Sequence, residues 1–61
     1  MTTTEIIKSV NKFIRAARRD NRPADVAYGR GALDALRGRP AAGKGPHHRD
    51  YLSGWAKVHG I

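Results

Sequence analysis

At 61 residues the chain is long enough for a single domain, spanning 1–61, and a chain of this size buries only about 60% of the surface that its unfolded form exposes. It has no cysteine, which excludes disulfides and thiolate metal sites. Twelve basic and five acidic residues give a net charge of +7, which favours a polyanionic partner: RNA, DNA or an acidic protein surface. With no apolar segment resembling a signal peptide or a transmembrane helix, we expect a cytoplasmic location and no membrane partner.

The first predicted element is an amphipathic helix over residues 3–20, within an N-terminal segment 1–21. Thr2 and Glu5 have the spacing of a capping box, and the alternative is that Thr3 or Thr4 caps the helix. Apolar side chains recur at three-four spacing along one face: Ile6, Ile7, Val10, Phe13, Ile14 and Ala17. This face either closes the core of its own chain or pairs with a second copy, so a homodimer is an open alternative.

A narrower stripe of basic side chains follows the far side of the same helix: Lys8, Lys12, Arg15 and Arg19. One interpretation is a solvated helix face. The other is a ridge that contacts phosphates, because the spacing aligns four cations along one line. A membrane-surface helix is disfavoured, since the apolar face carries no tryptophan and a small core needs its isoleucines.

The second predicted helix covers residues 23–37, with Pro23 at its first position and Gly38 after its end. It has two apolar faces, one of small side chains and one of larger ones: Ala24, Ala27, Tyr28, Gly31 and Ala35, then Val26, Leu33 and Leu36. Such a helix is expected to lie between two neighbouring helices.

Two glycines within this helix are unfavourable for helix formation. Gly29 and Gly31 each lower helix stability by about 1 kcal/mol relative to alanine. The favoured explanation is close approach of another helix over Gly31, and the alternative is backbone or phosphate near Gly29.

Residues 38–47 form a predicted surface loop rich in glycine and proline. Gly43, Lys44 and Gly45 do not complete a phosphate-loop motif, so nucleotide hydrolysis is rejected in favour of a basic loop that orders on RNA. His47 and His48 diverge on a helix, and neither cysteine nor clustered carboxylates complete a metal site. We therefore expect no metal or other cofactor, and interpret these histidines as partners for a base or a phosphate.

The third predicted helix covers residues 48–58, where Pro46 can start it and Gly60 can end it. Its apolar side chains share one face: Tyr51, Leu52, Trp55 and Val58. Trp55 is interpreted as a core anchor, and the alternative is an exposed platform for stacking a base. Gly54 would allow the second helix to approach. The expected fold is all-α, a small three-helix domain with a basic Gly/Pro-rich loop between helices two and three.

The second half of the chain carries a distinctive run of residues: Ala27-x-x-Arg30-Gly31, then Gly38-Arg39, then a loop with proline, then Arg49-x-Tyr51-Leu52-x-Gly54-Trp55. With this run, residues 27–56 resemble the ribosome modulation factor family. That family shows Arg-Gly, then Gly-Arg, then a loop with proline, then Arg followed by Trp-Leu-x-Gly-Trp. Tyr51 replaces the first tryptophan, Gly45-Pro46-His47 stands where the family has Cys-Pro-Tyr, and the loop is shorter. The first helix has no counterpart in short members.

The resemblance implies a helix-loop-helix module over 22–61 that binds the small ribosomal subunit near the 3′ end of its RNA. Ribosome modulation factor blocks messenger placement and promotes inactive ribosome dimers in bacteria, and related short proteins occur in phages. We therefore expect a non-enzymatic RNA-binding protein that represses translation. The expected RNA-binding residues are Arg30, Arg37, Arg39, Lys44, His47, His48 and Arg49, with the basic stripe of helix one as a secondary surface.

Two other functions stay open. One is a protein-interaction module, such as a phage inhibitor that docks on an acidic host protein. The other is a small DNA-binding protein, although the long predicted loop argues against the short turn of a helix-turn-helix. An enzyme is disfavoured, because the chain shows no paired acid and base, no nucleophile constellation and no cofactor motif.

Overall fold

The computed structural model describes residues 2–42 and 45–60, and there it has three helices and no strand. These are α1, Thr3–Arg19; α2, Pro23–Leu36; and α3, His48–His59. α2 packs against both neighbours, whereas α1 and α3 form no helix-to-helix contact within the described part of the chain. The predictions of an all-α, three-helix fold and of a central second helix are confirmed.

Local signals set the ends of α1. The Thr2 side chain accepts a hydrogen bond from the Glu5 backbone N–H at 3.2 Å, which satisfies a free donor of the first turn. At the other end Asn21 adopts a left-handed conformation, with φ 56°. The N–H of Arg22 then donates to the carbonyl of Ala17 at 2.8 Å, and that of Asn21 to the carbonyl of Arg18 at 3.2 Å. This pair of bonds is a Schellman motif.

The other helices end in a similar way, at glycine. α2 ends at Leu36, and Gly38 is left-handed with φ 72°. The Arg39 N–H donates to the Asp34 carbonyl at 2.8 Å, which completes a second Schellman motif. α3 starts directly after His47 and ends at His59, and Gly60, its C-cap, is left-handed with φ 74°.

The contact between α2 and α3 is an approach of backbone to backbone at two glycines. A Cβ atom added to Gly31 would overlap the Tyr51 carbonyl and lie 3.0 Å from the Trp55 nitrogen. A Cβ added to Gly54 would in turn overlap the Tyr28 carbonyl. The predicted close approach over Gly31 is confirmed, and Gly54 plays the reciprocal role from α3.

Gly29 lies on the opposite side of α2, beneath α1. A Cβ added there would come 2.5 Å from Ile14 Cγ1 and 3.3 Å from Phe13 Cδ2. Gly29 is buried, so the alternative that a phosphate approaches its backbone is wrong. The two unfavourable glycines of α2 thus each make room for a different neighbouring helix.

The core is small. Its buried apolar side chains are Ile14, Ala17, Ala32, Ala35 and Tyr51. Leu52 and Val58, predicted to share the packing face of α3, are instead 38% and 37% exposed, since the glycine contact turns α3 so that Tyr51 points inward. Trp55 is half-buried, which makes Tyr51 the main aromatic anchor.

Candidate functional site

A cleft of about 560 Å³ opens where the turn between α1 and α2, the middle of α2 and the start of α3 meet. Its floor is apolar: Pro23, Val26, Ala27, Leu33 and Pro46. Its cationic side chains are Arg18, Arg22 and Arg30, and His47 also lines it. Val26 and Leu33 belong to the second apolar face predicted for α2, so part of that face lines an open cleft rather than a helix contact.

A second cleft, of about 440 Å³, adjoins the first. The two share Arg18, Arg30 and Leu33, and the second adds Asn11, Ile14 and Arg15. We call the pair of clefts the arginine groove, defined by Arg15, Arg18, Arg22 and Arg30. A groove with an apolar floor and a cationic rim suits a ligand that combines flat apolar groups with negative charge.

The cations of the arginine groove come from two helices and the turn between them. Arg15, Arg18 and Arg22 follow one another at three-four spacing, and Arg30 reaches the same groove from α2. Within residues 2–42 and 45–60, Arg15, Arg18 and Arg30 form no ion pair. Their charges are therefore available to an anionic ligand.

Arg22 has internal carboxylate neighbours. Its guanidinium lies 3.2 Å from Asp25 Oδ2 and 3.8 Å from Asp20 Oδ2. All three side chains are about half exposed, and such surface pairs contribute roughly 0–1 kcal/mol. A phosphate can therefore take the place of either carboxylate at small energetic cost.

One end of the larger cleft carries a polar network that links α2 to α3. The Tyr51 hydroxyl donates to Asp34 Oδ2 and accepts the backbone N–H of Ala42 at 3.2 Å. Burial, and after it the hydrogen bond to Asp34, raises the pKa of Tyr51 above its ordinary value. This network fixes the Asp34 carboxylate at the wall of the cleft.

The side chain of Trp55 holds the same segment at another point. Its indole Nε1 donates to the Arg39 carbonyl at 3.1 Å, and the Arg39 guanidinium lies 3.9 Å from Asp34 Oδ1. α3 thus holds the chain after α2 at Arg39 through Trp55 and at Ala42 through Tyr51. A half-buried Trp55 with this bond is a packing residue rather than a free platform for stacking a base.

Two of the predicted RNA-binding residues, Arg30 and His47, line the larger cleft. The other described ones are exposed but lie outside the lining of both clefts: Arg37, Arg39, His48 and Arg49. Lys44 lies outside the described residues. Some of the predicted RNA-binding residues therefore lie in the arginine groove, and the other described ones lie on the surface after the end of α2 and at the start of α3.

The basic stripe of α1 divides in the same way. Arg15 lines the second cleft, whereas Lys8, Lys12 and Arg19 are exposed away from both clefts. Arg19 also lies 3.4 Å from Asp20 Oδ1. The predicted site does not include Arg18, Arg22 and Asp34. The sequence shows the three-four spacing of Arg15, Arg18 and Arg22, but it does not show that these side chains line the same groove as Arg30.

The three histidines do not converge on a common point. His47 Nδ1 lies 3.8 Å from Asp50 Oδ2, the His48 ring is parallel to that of Tyr51, and His59 packs on Trp55 with 4.1 Å between ring centroids. In the described ranges there is no group of three or more histidine and acidic side chains that could hold a metal ion.

Comparisons with protein-family models, with curated proteins and with solved structures find no match to this chain. No helix in the described part of the chain has the length and apolar character needed to cross a membrane.

Proposed function

We propose that this protein is a non-enzymatic RNA-binding protein of the cytoplasm that acts on the small ribosomal subunit and represses translation. The observation that carries the proposal is the arginine groove, where Arg15, Arg18 and Arg30 lie beside an apolar floor and form no ion pair with any other described residue. Guanidinium groups bind phosphate through two parallel hydrogen bonds, and apolar surface suits the faces of unstacked bases.

The ribosomal target rests on the resemblance to ribosome modulation factor. Residues that carry this resemblance also make the contact between α2 and α3: Gly31, Gly54, and Trp55 bonded to Arg39. Arg30 precedes Gly31 directly, so the glycine that packs toward α3 leaves the arginine beside it in the groove. This supports a module in which glycine packing and arginine presentation are coupled.

Salt dependence of RNA binding tests the phosphate role. Binding to a fragment of small-subunit RNA is measured by fluorescence anisotropy between about 50 and 200 mM salt, where six to ten phosphate contacts would lose about a thousandfold or more. Arg30→Gln should weaken binding and lower the slope of log K against log salt by about 0.7–1. Lys57→Gln is the matched control, because Lys57 is exposed and outside both clefts.

Equal effects of Arg30→Gln and Lys57→Gln would show that general charge, not the arginine groove, binds the RNA. Affinity that does not change with salt would remove the phosphate contacts from the proposal. Sedimentation with separated ribosomal subunits then tests the target. The proposal requires that the protein sediments with the small subunit and not with the large one.

The same groove favours a second candidate, an acidic protein partner, because an amphipathic acidic helix also combines apolar and anionic groups. Capture from bacterial lysate with and without ribonuclease separates the two functions. A protein retained after ribonuclease treatment, in place of ribosomal subunits, would favour the second candidate.

A further inference from the structure

One carboxylate, that of Asp34, lines the larger cleft among the arginines. Its Oδ1 lies 3.9 Å from the Arg39 guanidinium, close enough for an ion pair but beyond hydrogen-bond distance, so this pairing leaves the acceptor capacity of the oxygen open. Asp34 also carries a side chain that is 26% exposed, so the carboxylate is reachable from solvent. Because a carboxylate accepts hydrogen bonds, its presence in a cationic cleft suits a ligand that carries hydrogen-bond donors as well as negative charge.

The two oxygens of Asp34 differ in their surroundings. Oδ2 accepts a hydrogen bond from the hydroxyl of Tyr51, which is buried and itself accepts a hydrogen bond from the Ala42 N–H. Oδ1 accepts no hydrogen bond from the described residues. Because Tyr51 fixes the carboxylate, Oδ1 is a positioned acceptor with open capacity.

An ionised carboxylate accepts hydrogen bonds and donates none, which allows it to distinguish the edges of bases. Cytosine presents its N4 amino group as a donor, and carboxylate side chains accept from that group in nucleic-acid complexes. Uracil presents a carbonyl oxygen at the same place, and two acceptors repel each other. Cytosine and uracil are otherwise close in size and shape, so they isolate this one difference.

We propose that the larger cleft holds one unpaired nucleotide of RNA and that Asp34 Oδ1 selects a base with an exocyclic amino group, cytosine over uracil. This inference rests on the proposed RNA-binding function and adds base preference to it. The base lies over the floor of Val26 and Leu33, and the adjoining phosphate is bound by Arg18 and Arg30. In paired RNA the free N4 hydrogen of cytosine faces the deep, narrow major groove, which side chains cannot reach, so the site reads single strands.

The test compares the affinity of the full chain for oligocytidylate and oligouridylate of equal length by fluorescence anisotropy. Oligocytidylate should bind about tenfold more tightly, the effect of one hydrogen bond to a charged group. An oligonucleotide of pyrimidin-2-one, which has hydrogen at C4 in place of the amino group of cytosine or the carbonyl oxygen of uracil, should have an affinity between them. This comparison leaves the protein unchanged, so it does not depend on the folding of a variant.

Asp34→Asn should bring the ratio of the two affinities close to one with an unchanged salt slope, because an amide both donates and accepts. Glu5→Gln is the matched control, because it makes the same chemical change in the first turn of α1, away from the cleft. Glutamine also suits the capping box there, so this variant should keep the ratio of affinities.

Equal affinity of the wild-type protein for the two oligonucleotides, with a normal salt slope, would overturn this inference and leave the proposed function standing. An Asp34→Asn variant that keeps the preference would also overturn it. Binding of neither oligonucleotide, with polyglutamate bound in their place, would overturn both the inference and the RNA-binding function in favour of an acidic protein partner.

Discussion

Replacing Gly31 by alanine tests the contact on which the arrangement of α2 and α3 depends. At an open helical position this change would stabilise the protein by about 1 kcal/mol, since alanine has the higher helix propensity. Here the added Cβ lies 2.8 Å from the Tyr51 carbonyl carbon, and packed carbons prefer a separation of about 3.5–4.0 Å. Because the obstructing atoms belong to the α3 backbone, no side-chain rotation relieves the overlap.

The expected loss follows from these distances. Restoring ordinary contact with the Tyr51 carbonyl carbon, 2.8 Å away, requires a movement of about 0.7 Å or more. A displacement of this size removes a quarter to a half of each contact energy along the interface, and overpacking typically costs about 1–3 kcal/mol. Because the obstructing atoms at Gly31 are backbone, the upper end of that range, about 3 kcal/mol, applies, and after the gain of about 1 kcal/mol in helix propensity the net loss for Gly31→Ala is about 2 kcal/mol. A domain of this size has a total free energy of unfolding of roughly 3–9 kcal/mol. A loss of about 2 kcal/mol should lower the melting temperature by about 8–16 °C.

Thermal and urea unfolding followed by circular dichroism measure this loss. Gly54→Ala should lose a similar amount, because its Cβ meets the Tyr28 backbone. Gly29→Ala is the matched control and should lose less, since its Cβ meets the side chains of Ile14 and Phe13, which can rotate. A Gly31→Ala protein as stable as the wild type, or more stable, would refute the close approach of the two helices.

Three further variants probe the network and the helix ends. Because burial and the bond to Asp34 raise the pKa of Tyr51 above 10.0, unfolding should become easier as pH rises above about 10. Tyr51→Phe should weaken this dependence, as urea unfolding at several pH values will show. Gly38→Ala adds a Cβ to a residue whose φ is 72°, so the free energy of unfolding measured in urea should fall by about 1 kcal/mol. A gain in stability would contradict the left-handed conformation after α2. Thr2→Ala removes the cap of α1 and should cost about 0.5–1 kcal/mol, whereas Thr2→Ser should cost little.

Features that depend on a few neighbouring residues could be predicted from the sequence. Thr2 caps α1, Pro23 opens α2 and Gly60 ends α3, because each supplies or withholds a specific backbone conformation or hydrogen bond. The clustering of glycine and alanine on α2 also indicated that a helix approaches Gly31. These properties were enough for the three-helix fold and the central place of α2.

The orientation of α3 about its own axis was decided by tertiary packing. Periodicity places Leu52 beside Tyr51 and Trp55 on one apolar face, yet Leu52 is exposed. The closest contact is backbone to backbone at Gly31 and Gly54, and this contact rather than side-chain hydrophobicity sets the rotation of the helix. With a narrow, glycine-lined interface, only part of the apolar face is covered.

The candidate site likewise exists only in three dimensions. Arg18 and Arg30 belong to different helices, and their meeting depends on the tight turn at Asn21, which adopts a left-handed conformation. Asp34 and Tyr51 are separated by seventeen residues, and their hydrogen bond depends on the two glycines that bring α2 and α3 together. The sequence alone determined the charge, the helices and their ends, because these are local quantities. The tertiary structure decided which cations share a groove and which carboxylate lines it, because contacts between distant residues depend on how the helices pack.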